Sequence, residues 1–404
     1  MIAKHGRRFR IIREKIIESI LGMSSTVTGL AVILIIVFLF REGIGLFGEK
    51  PMEKDFILAV NPSNPVKTIS AVQIKDVFDG KITNWKELGG NDQPIVMFTI
   101  NDIGAYFSDE EVGANFENLP QCINDLMKRD STLIAYIPTK YLSKDFSGRI
   151  LDVDNISVGS FLSGKQWFPT AEPVAQIGAL PLILGTLWVC IGAILIALPL
   201  GLATSIYMAE LANKRVRNIL KPVIELLAGI PSVVYGFFGL VIIVPLVQKI
   251  FDLPVGETGL SGSIILAIMV LPTIITISED AIRTTPNSMR EASLALGATQ
   301  WQTIRRVVIP NSILGITAAV ILGVGRAFGE TMAVLMVTGN AAVMPTGFLE
   351  PIRTLTATIA AELGEASQGG LHYKALFALG CILFIITLLT NLLVEWLTRR
   401  KKLA

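Results

Sequence analysis

Six apolar runs, at about residues 23–40, 178–207, 220–248, 262–282, 312–338 and 373–396, constrain this chain more than any other feature. Each is long enough to cross the roughly 30 Å hydrocarbon layer of a bilayer as a helix. Backbone in hydrocarbon must satisfy its own hydrogen bonds, so runs of this length specify an all-α polytopic bundle. Composition agrees: of 404 residues, 51% are hydrophobic and 17% charged, and the mean hydropathy is +0.59. The net charge of +2 gives no global field that would draw nucleic acid. Cys122, Cys190 and Cys381 are too scattered for a disulfide framework, and with only His5 and His372 a histidine-based metal site is not expected.

Basic residues set the expected topology. Lys4, Arg7, Arg8, Arg10, Arg13 and Lys15 precede the first run. They resemble the start of a signal peptide, but no small-residue cleavage site follows, so a retained helix with a cytoplasmic N-terminus is expected. Further clusters lie at Lys214, Arg215 and Arg217, at Arg283, Arg290, Arg305 and Arg306, and at Arg399, Arg400, Lys401 and Lys402. These fall after the second, fourth and sixth runs, so the positive-inside rule puts all of them, and the C-terminus, on the cytoplasmic side. The expected organisation is a first helix within 1–45, an extracytoplasmic insertion over 46–172, and a five-helix core over 173–404 with a cytoplasmic loop at 284–310.

The insertion breaks the membrane pattern. Short β-rich runs at Phe56–Val60, Ile95–Thr99 and Leu133–Ile137 alternate with helical patterns, and Ser70 with Gln73 has capping-box spacing ahead of Ile74, Val77 and Phe78. An α/β lobe of about 100 residues is predicted, large enough for a core of its own. The segment 339–371 joins the last two spans, and its pattern around Ile352–Leu363 predicts an interfacial helix.

The loop between spans four and five carries the most specific local pattern. Thr285 as N-cap, Pro286 in the first turn and Gly297 past the end predict one short helix. Thr299 and Gln302 open a second, with Trp301, Ile304 and Val308 on one face and Arg305 and Arg306 turned away. An amphipathic connector would read similarly. The order Glu291, Ala292, Gly297, Pro310 resembles the coupling loop of ABC importer permeases, with Ser293 where a second Ala is usual and Val308-Ile309-Pro310 at the end. That resemblance implies that Glu291, Ala292, Gly297, Trp301, Arg305 and Pro310 dock on a cytoplasmic ATPase.

Further stretches narrow the resemblance. Ala228-Gly229-Ile230-Pro231-Ser232-Val233-Val234-Tyr235-Gly236, Ser278-Glu279-Asp280, Gly325-Arg326-Ala327-Phe328-Gly329-Glu330-Thr331 and Phe161-Leu162-Ser163-Gly164 are similar to the PstC-type permeases of phosphate-specific ABC importers. The resemblance implies the type I importer permease fold and a complex with a PstA-type permease, two ATPase subunits and a periplasmic phosphate-binding protein. ATP and magnesium would then belong to the ATPase, with no cofactor on this chain and no covalent catalysis. Asn64-Pro65-Val66-Lys67, Phe78-Asp79-Gly80-Lys81-Ile82-Thr83-Asn84-Trp85 and Leu133-Ile134-Ala135-Tyr136 resemble one lobe of those binding proteins. Where they grip the anion at a helix start, this chain has Thr99-Ile100-Asn101-Asp102, and a carboxylate there opposes an anion. A lobe that keeps the fold without tight phosphate binding is expected, either docking or gating a separate binding protein or forming an insertion with neither role.

Ionisable groups inside an apolar span cost about 3 kcal/mol or more each and usually face a partner or a wet path. Arg326 and Glu330 are therefore the expected pathway residues, four apart and so on one helix face. The guanidinium would fork onto an oxyanion with the carboxylate steadying it, or the two would form an internal pair tying helices together. Thr331, Ser232 and Tyr235 are candidate hydroxyl donors on the same route. Glu225 and Glu279 are expected near cytoplasmic span ends in helix-pair contacts. Gly159–Gln166 nearly spells a phosphate loop, but Gln166 replaces the hydroxyl that would hold magnesium and no buried strand precedes it. The alternatives are a permease for sulfate, molybdate or a phosphonate, and a complex that chiefly senses phosphate. A membrane enzyme fits least, since no nucleophile and base set lies within the spans.

Overall fold

The computed structural model describes residues 2–53, 55–113 and 115–400. Lys401 and Lys402 of the last basic cluster lie outside the described residues, as do the side chains of Lys4, Arg7, Arg8, Arg10 and Arg13. Among the described residues, six helices are long and apolar enough to cross a membrane: Ile17–Ile44, Leu180–Leu211, Ser232–Phe251, Gly259–Arg283, Gln300–Phe328 and Leu371–Leu393.

Spans two, four and five form the centre. Small residues let their backbones approach, as bundle packing in lipid requires. A Cβ added at Gly192 would sit 2.3 Å from Ser263 Oγ, and one at Gly315 would sit 2.3 Å from Ala281 Cβ. The first span lies outside this centre against the sixth, through edge-on ring contacts of Phe38 with Phe377 and Phe40 with Phe384.

Two spans differ from the sequence pattern. The run at 220–248 is not one helix: an amphipathic helix, Lys214–Ala228, ends before Gly229-Ile230-Pro231, and the third span starts at Ser232. Pro231 lacks the amide that would continue the ladder and disfavours helix at Ile230. The run at 312–338 is also broken. The fifth span begins at Gln300 and stops at Phe328, and a separate short helix, Met332–Val337, follows. It packs on Ser232–Phe238 at Gly236, where an added Cβ would meet Ala333 Cα at 3.0 Å.

The segment after span five also differs. Helix Leu355–Glu362 is not interfacial, because Leu355, Ala357 and Thr358 are fully buried against the bundle. The Leu355 amide donates to Thr186 Oγ1 at 3.0 Å, and Thr356 Oγ1 donates to the Glu330 carbonyl at 2.7 Å, so hydroxyl contacts to span two and to the break after span five draw this helix inward.

The insertion holds a four-stranded sheet in the order 96–99, 133–138, 56–60, 149–150. The first pair is parallel and the others antiparallel. Leu133–Pro138 is buried along its whole length because helices cover both faces. Ile134 and Tyr136 join Leu58, Ile74, Val77 and Trp85 on one side, and Leu133, Ala135 and Ile137 join Phe98, Ile123 and Met127 on the other. The Ser70 and Gln73 capping box opens helix Ala71–Phe78, and Gly80, with φ +73°, follows its end.

A collar joins lobe to bundle. Trp167 donates its indole N–H to Glu362 at 3.0 Å, and His372 Nε2 and Arg353 Nη2 lie 2.8 Å from the same carboxylate. Burial pushes the Glu362 carboxyl up, but the hydrogen bonds from His372 and Trp167 and the Arg353 charge win, leaving it below the usual carboxylate range. Lys374 pairs with Glu49 beside it. A cleft of about 850 Å³ runs between the lobe, at Phe56, Tyr136 and Glu172, and the 365–372 segment of the bundle.

Candidate functional site

The loop between spans four and five folds into an elbow. Its first helix is Asn287–Ala295, and its N-cap is Pro286, not Thr285. The Thr285 hydroxyl is instead buried against the start of span five, 3.0 Å from Ser312 Oγ and 3.2 Å from Asn311 Nδ2. Gly297 turns the chain at φ +84°, a conformation L side chains rarely adopt, with open space where a Cβ would be. Thr299 and Gln302 form the expected capping box. The second helix is not a separate short element: it runs through a π turn, Ile304–Val308, into span five. The extra residue of that turn shifts the helix phase. Ile304 and Val308 are buried, whereas Trp301, at the start of the helix, stands 58% exposed.

The elbow tip is therefore apolar and uncovered. Leu296 is 90% exposed, and Leu294 and Trp301 flank it. Glu291, Ala292, Arg305, Arg306 and Pro310 are also exposed. Ser293, the departure from the usual alanine, places its hydroxyl 2.9 Å from Thr303 Oγ1 and ties the two arms together.

Ion pairs anchor the elbow's root. Glu279 is fully buried at the end of span four, with Arg217 Nε at 2.8 Å, Lys221 Nζ at 3.3 Å and Arg283 Nη1 at 3.7 Å. This is the helix-pair contact expected of Glu279. With three cations around one buried carboxylate, loss of any single cation still leaves Glu279 compensated, whereas loss of all three would leave a buried charge without a partner. Glu225 is exposed and outside this cluster. Arg290 reaches Glu210 Oε1 at 2.7 Å, and neither residue was singled out as a pair by the sequence. Glu210 is the lone acid at the end of an apolar run, and that is the signal that could have found it.

The pathway candidates converge around the end of span five, but not as the spacing predicted. Arg326 lies in the last turn of the helix on an exposed face, with Nη1 3.3 Å from Thr273 Oγ1 of span four. Glu330 is not on the same helix face, since Gly329 caps the helix at Phe328. Glu330 Oε1 accepts the Ala333 amide at 3.2 Å and starts the next short helix, so its carboxylate caps a backbone and does not steady Arg326. Among the described residues Arg326 makes no ion pair. The Thr331 hydroxyl donates to the Gly329 carbonyl at 3.3 Å within the break. Tyr235 is buried and its hydroxyl donates to the Leu227 carbonyl at 2.7 Å. Ser232 sits half-buried at the first residue of the third span.

In the lobe, Asp102 sits at the turn after strand Val96–Thr99. Its carboxylate accepts from the Thr99 amide at 2.9 Å and the Thr99 hydroxyl at 2.8 Å. The near phosphate loop folds as helix Val158–Ser163 with Gly164 pressed on Gly178, which leaves no cradle.

Among the described residues, six candidate spans, an exposed apolar elbow and an arginine without an ion pair mark a polytopic membrane protein. The family described as binding-protein-dependent transport system inner membrane component matches residues 201–403, and the PBP superfamily domain matches residues 41–182. The "Probable ABC transporter permease protein YqgH" of Bacillus subtilis is 43% identical over 251 residues, covering 62% of this chain and 81% of that protein. The phosphate transport system permease protein PstC of Mesorhizobium japonicum is 40% identical over 260 residues, covering 60% and 78%. Among solved structures, the MetNI methionine ABC transporter in an inward-facing conformation matches at 19% identity and a TM-score of 0.43, over 54% of this chain and 93% of that one. The chain belongs to the family of binding-protein-dependent transport system inner membrane components and is a multi-pass inner-membrane protein.

Proposed function

We propose that this chain is the permease subunit of an ATP-driven phosphate importer and forms half of the anion path. The observation that carries this reading is the apolar elbow at the foot of a bundle that is 40% identical to a phosphate transport permease over 78% of that protein's length. A PstA-type permease completes the path, and two ATPase subunits, which hold ATP and magnesium, seat the elbow. A periplasmic phosphate-binding protein delivers the anion. Basic residues beside the elbow support a cytoplasmic side for it and for both termini.

Work is done by alternating access. Closure of the ATPase pair pushes Glu291–Pro310, and the spans move around Arg326. The guanidinium, free of a carboxylate partner among the described residues, offers a planar fork to a tetrahedral oxyanion. Asp102 argues for a lobe that contacts the binding protein or gates its access and does not grip phosphate itself.

The test is uptake into vesicles holding this permease, its sister and the ATPase, with the binding protein outside. Phosphate should accumulate only with ATP on the elbow side, and a tenfold excess of sulfate should leave the rate unchanged. Equal competition by sulfate would replace phosphate with a broader oxyanion substrate.

A further inference from the structure

We infer that Arg290 and Glu210 form the joint through which the elbow moves the second and fourth spans. The inference rests on the coupling reading above and assigns its positioning residue. Arg290 belongs to the first elbow helix, and its guanidinium reaches four acceptors from three elements. Nη1 donates to the Thr285 carbonyl at 2.6 Å and to Asn287 Oδ1 at 2.9 Å, while Nη2 donates to the Ile282 carbonyl at 3.0 Å and to Glu210 Oε1 at 2.7 Å.

The acceptors are informative. Ile282 lies in the last turn of span four, where helix carbonyls have no partner within the helix and attract a cation. Glu210 lies at the end of span two. One planar side chain on the elbow therefore binds the cytoplasmic ends of both spans, and a point charge such as lysine could not satisfy all four positions. Gln300, at the other end of the elbow, donates to the Glu210 carbonyl at 3.1 Å, so both arms of the elbow hold the same residue.

Two π turns flank the joint. Glu210 sits within Tyr207–Leu211, and the elbow's second arm contains Ile304–Val308. Such turns carry one residue more than the α ladder and recur at functional sites in helices. The joint is also rigid where a lever must be rigid: the side chains of Arg290 and Glu210 are only 18% and 10% exposed. Force applied at Leu296 and Trp301 then reaches spans two and four through Arg290.

The test measures phosphate imported per ATP hydrolysed in vesicles holding the complete transporter, together with ATPase retained on the purified complex. Arg290→Gln and Glu210→Gln are each expected to keep the ATPase bound and hydrolysing while the ratio falls about tenfold or more. The double variant should fall no further than the worse single, because both act on one contact. Arg290→Lys keeps the charge and loses the fork; it should fall between wild type and Arg290→Gln, and it serves where the Gln variant fails to assemble. A wild-type ratio in Arg290→Lys and Glu210→Gln, or a double variant at the product of the two singles, overturns the joint. A wild-type complex that binds no ATPase overturns the function and the joint together, whereas coupling that survives in every variant overturns the joint alone.

Discussion

Trp301→Ala should lower phosphate uptake per ATP about tenfold or more and weaken ATPase binding about 30-fold, the equivalent of a 2 kcal/mol interface anchor. Trp301 and Leu296 are the large apolar groups at the elbow tip, and neither packs in the bundle. Removing the indole therefore costs the permease little stability, and membrane insertion should remain normal. Gly297→Asp should reach the same phenotype by another route. At φ +84° a side chain costs about 1–2 kcal/mol, and relief of that strain would re-aim Leu296. Paired assays of uptake and hydrolysis, with ATPase affinity measured on the purified complex, check both. Normal uptake in the two variants would remove the coupling role from the elbow.

Arg326→Gln should lower the initial rate of phosphate uptake about 30-fold or more, with the ATPase still bound. A hydrogen bond to a charged group contributes about 1.5–3 kcal/mol, and Arg326 has no internal carboxylate among the described residues to satisfy it when the anion leaves. Arg326→Lys should recover part of the rate, because the charge stays and the fork is lost. Glu330→Gln provides the contrast: its amide oxygen can still accept from Ala333, so uptake should change by less than about threefold. The rates are read under saturating binding protein. Uptake at the wild-type rate in Arg326→Gln would return this arginine to a structural role at Thr273.

The parts of this fold that sequence discloses are those fixed by local chemistry. Hydrocarbon thickness dictates the spans, side-chain oxygens dictate the caps at Ser70 and Thr299, and a required positive φ dictates Gly297. What it hides depends on phase and distance. The stretch from Gly325 to Val337 stays apolar in composition across a helix break, so counting four residues from Arg326 put Glu330 on a face it does not occupy. The π turn at Ile304–Val308, which joins the elbow's second arm to span five as one helix, has no signature in the apolar pattern. Arg290 reads as one more basic residue until span two brings Glu210, 80 positions earlier, to 2.7 Å. Helix Leu355–Glu362 looks interfacial by pattern because its hydroxyl partners, Thr186 and the Glu330 carbonyl, lie on other elements.

The most direct measurement places a photo-activated cross-linker at position 296, the most exposed large apolar residue of the elbow, in membranes that are actively importing phosphate. The account predicts a single adduct with the ATPase subunit, formed on the cytoplasmic side and altered in yield by ATP. An adduct with the external binding protein, or labelling from the periplasmic side alone, would contradict it.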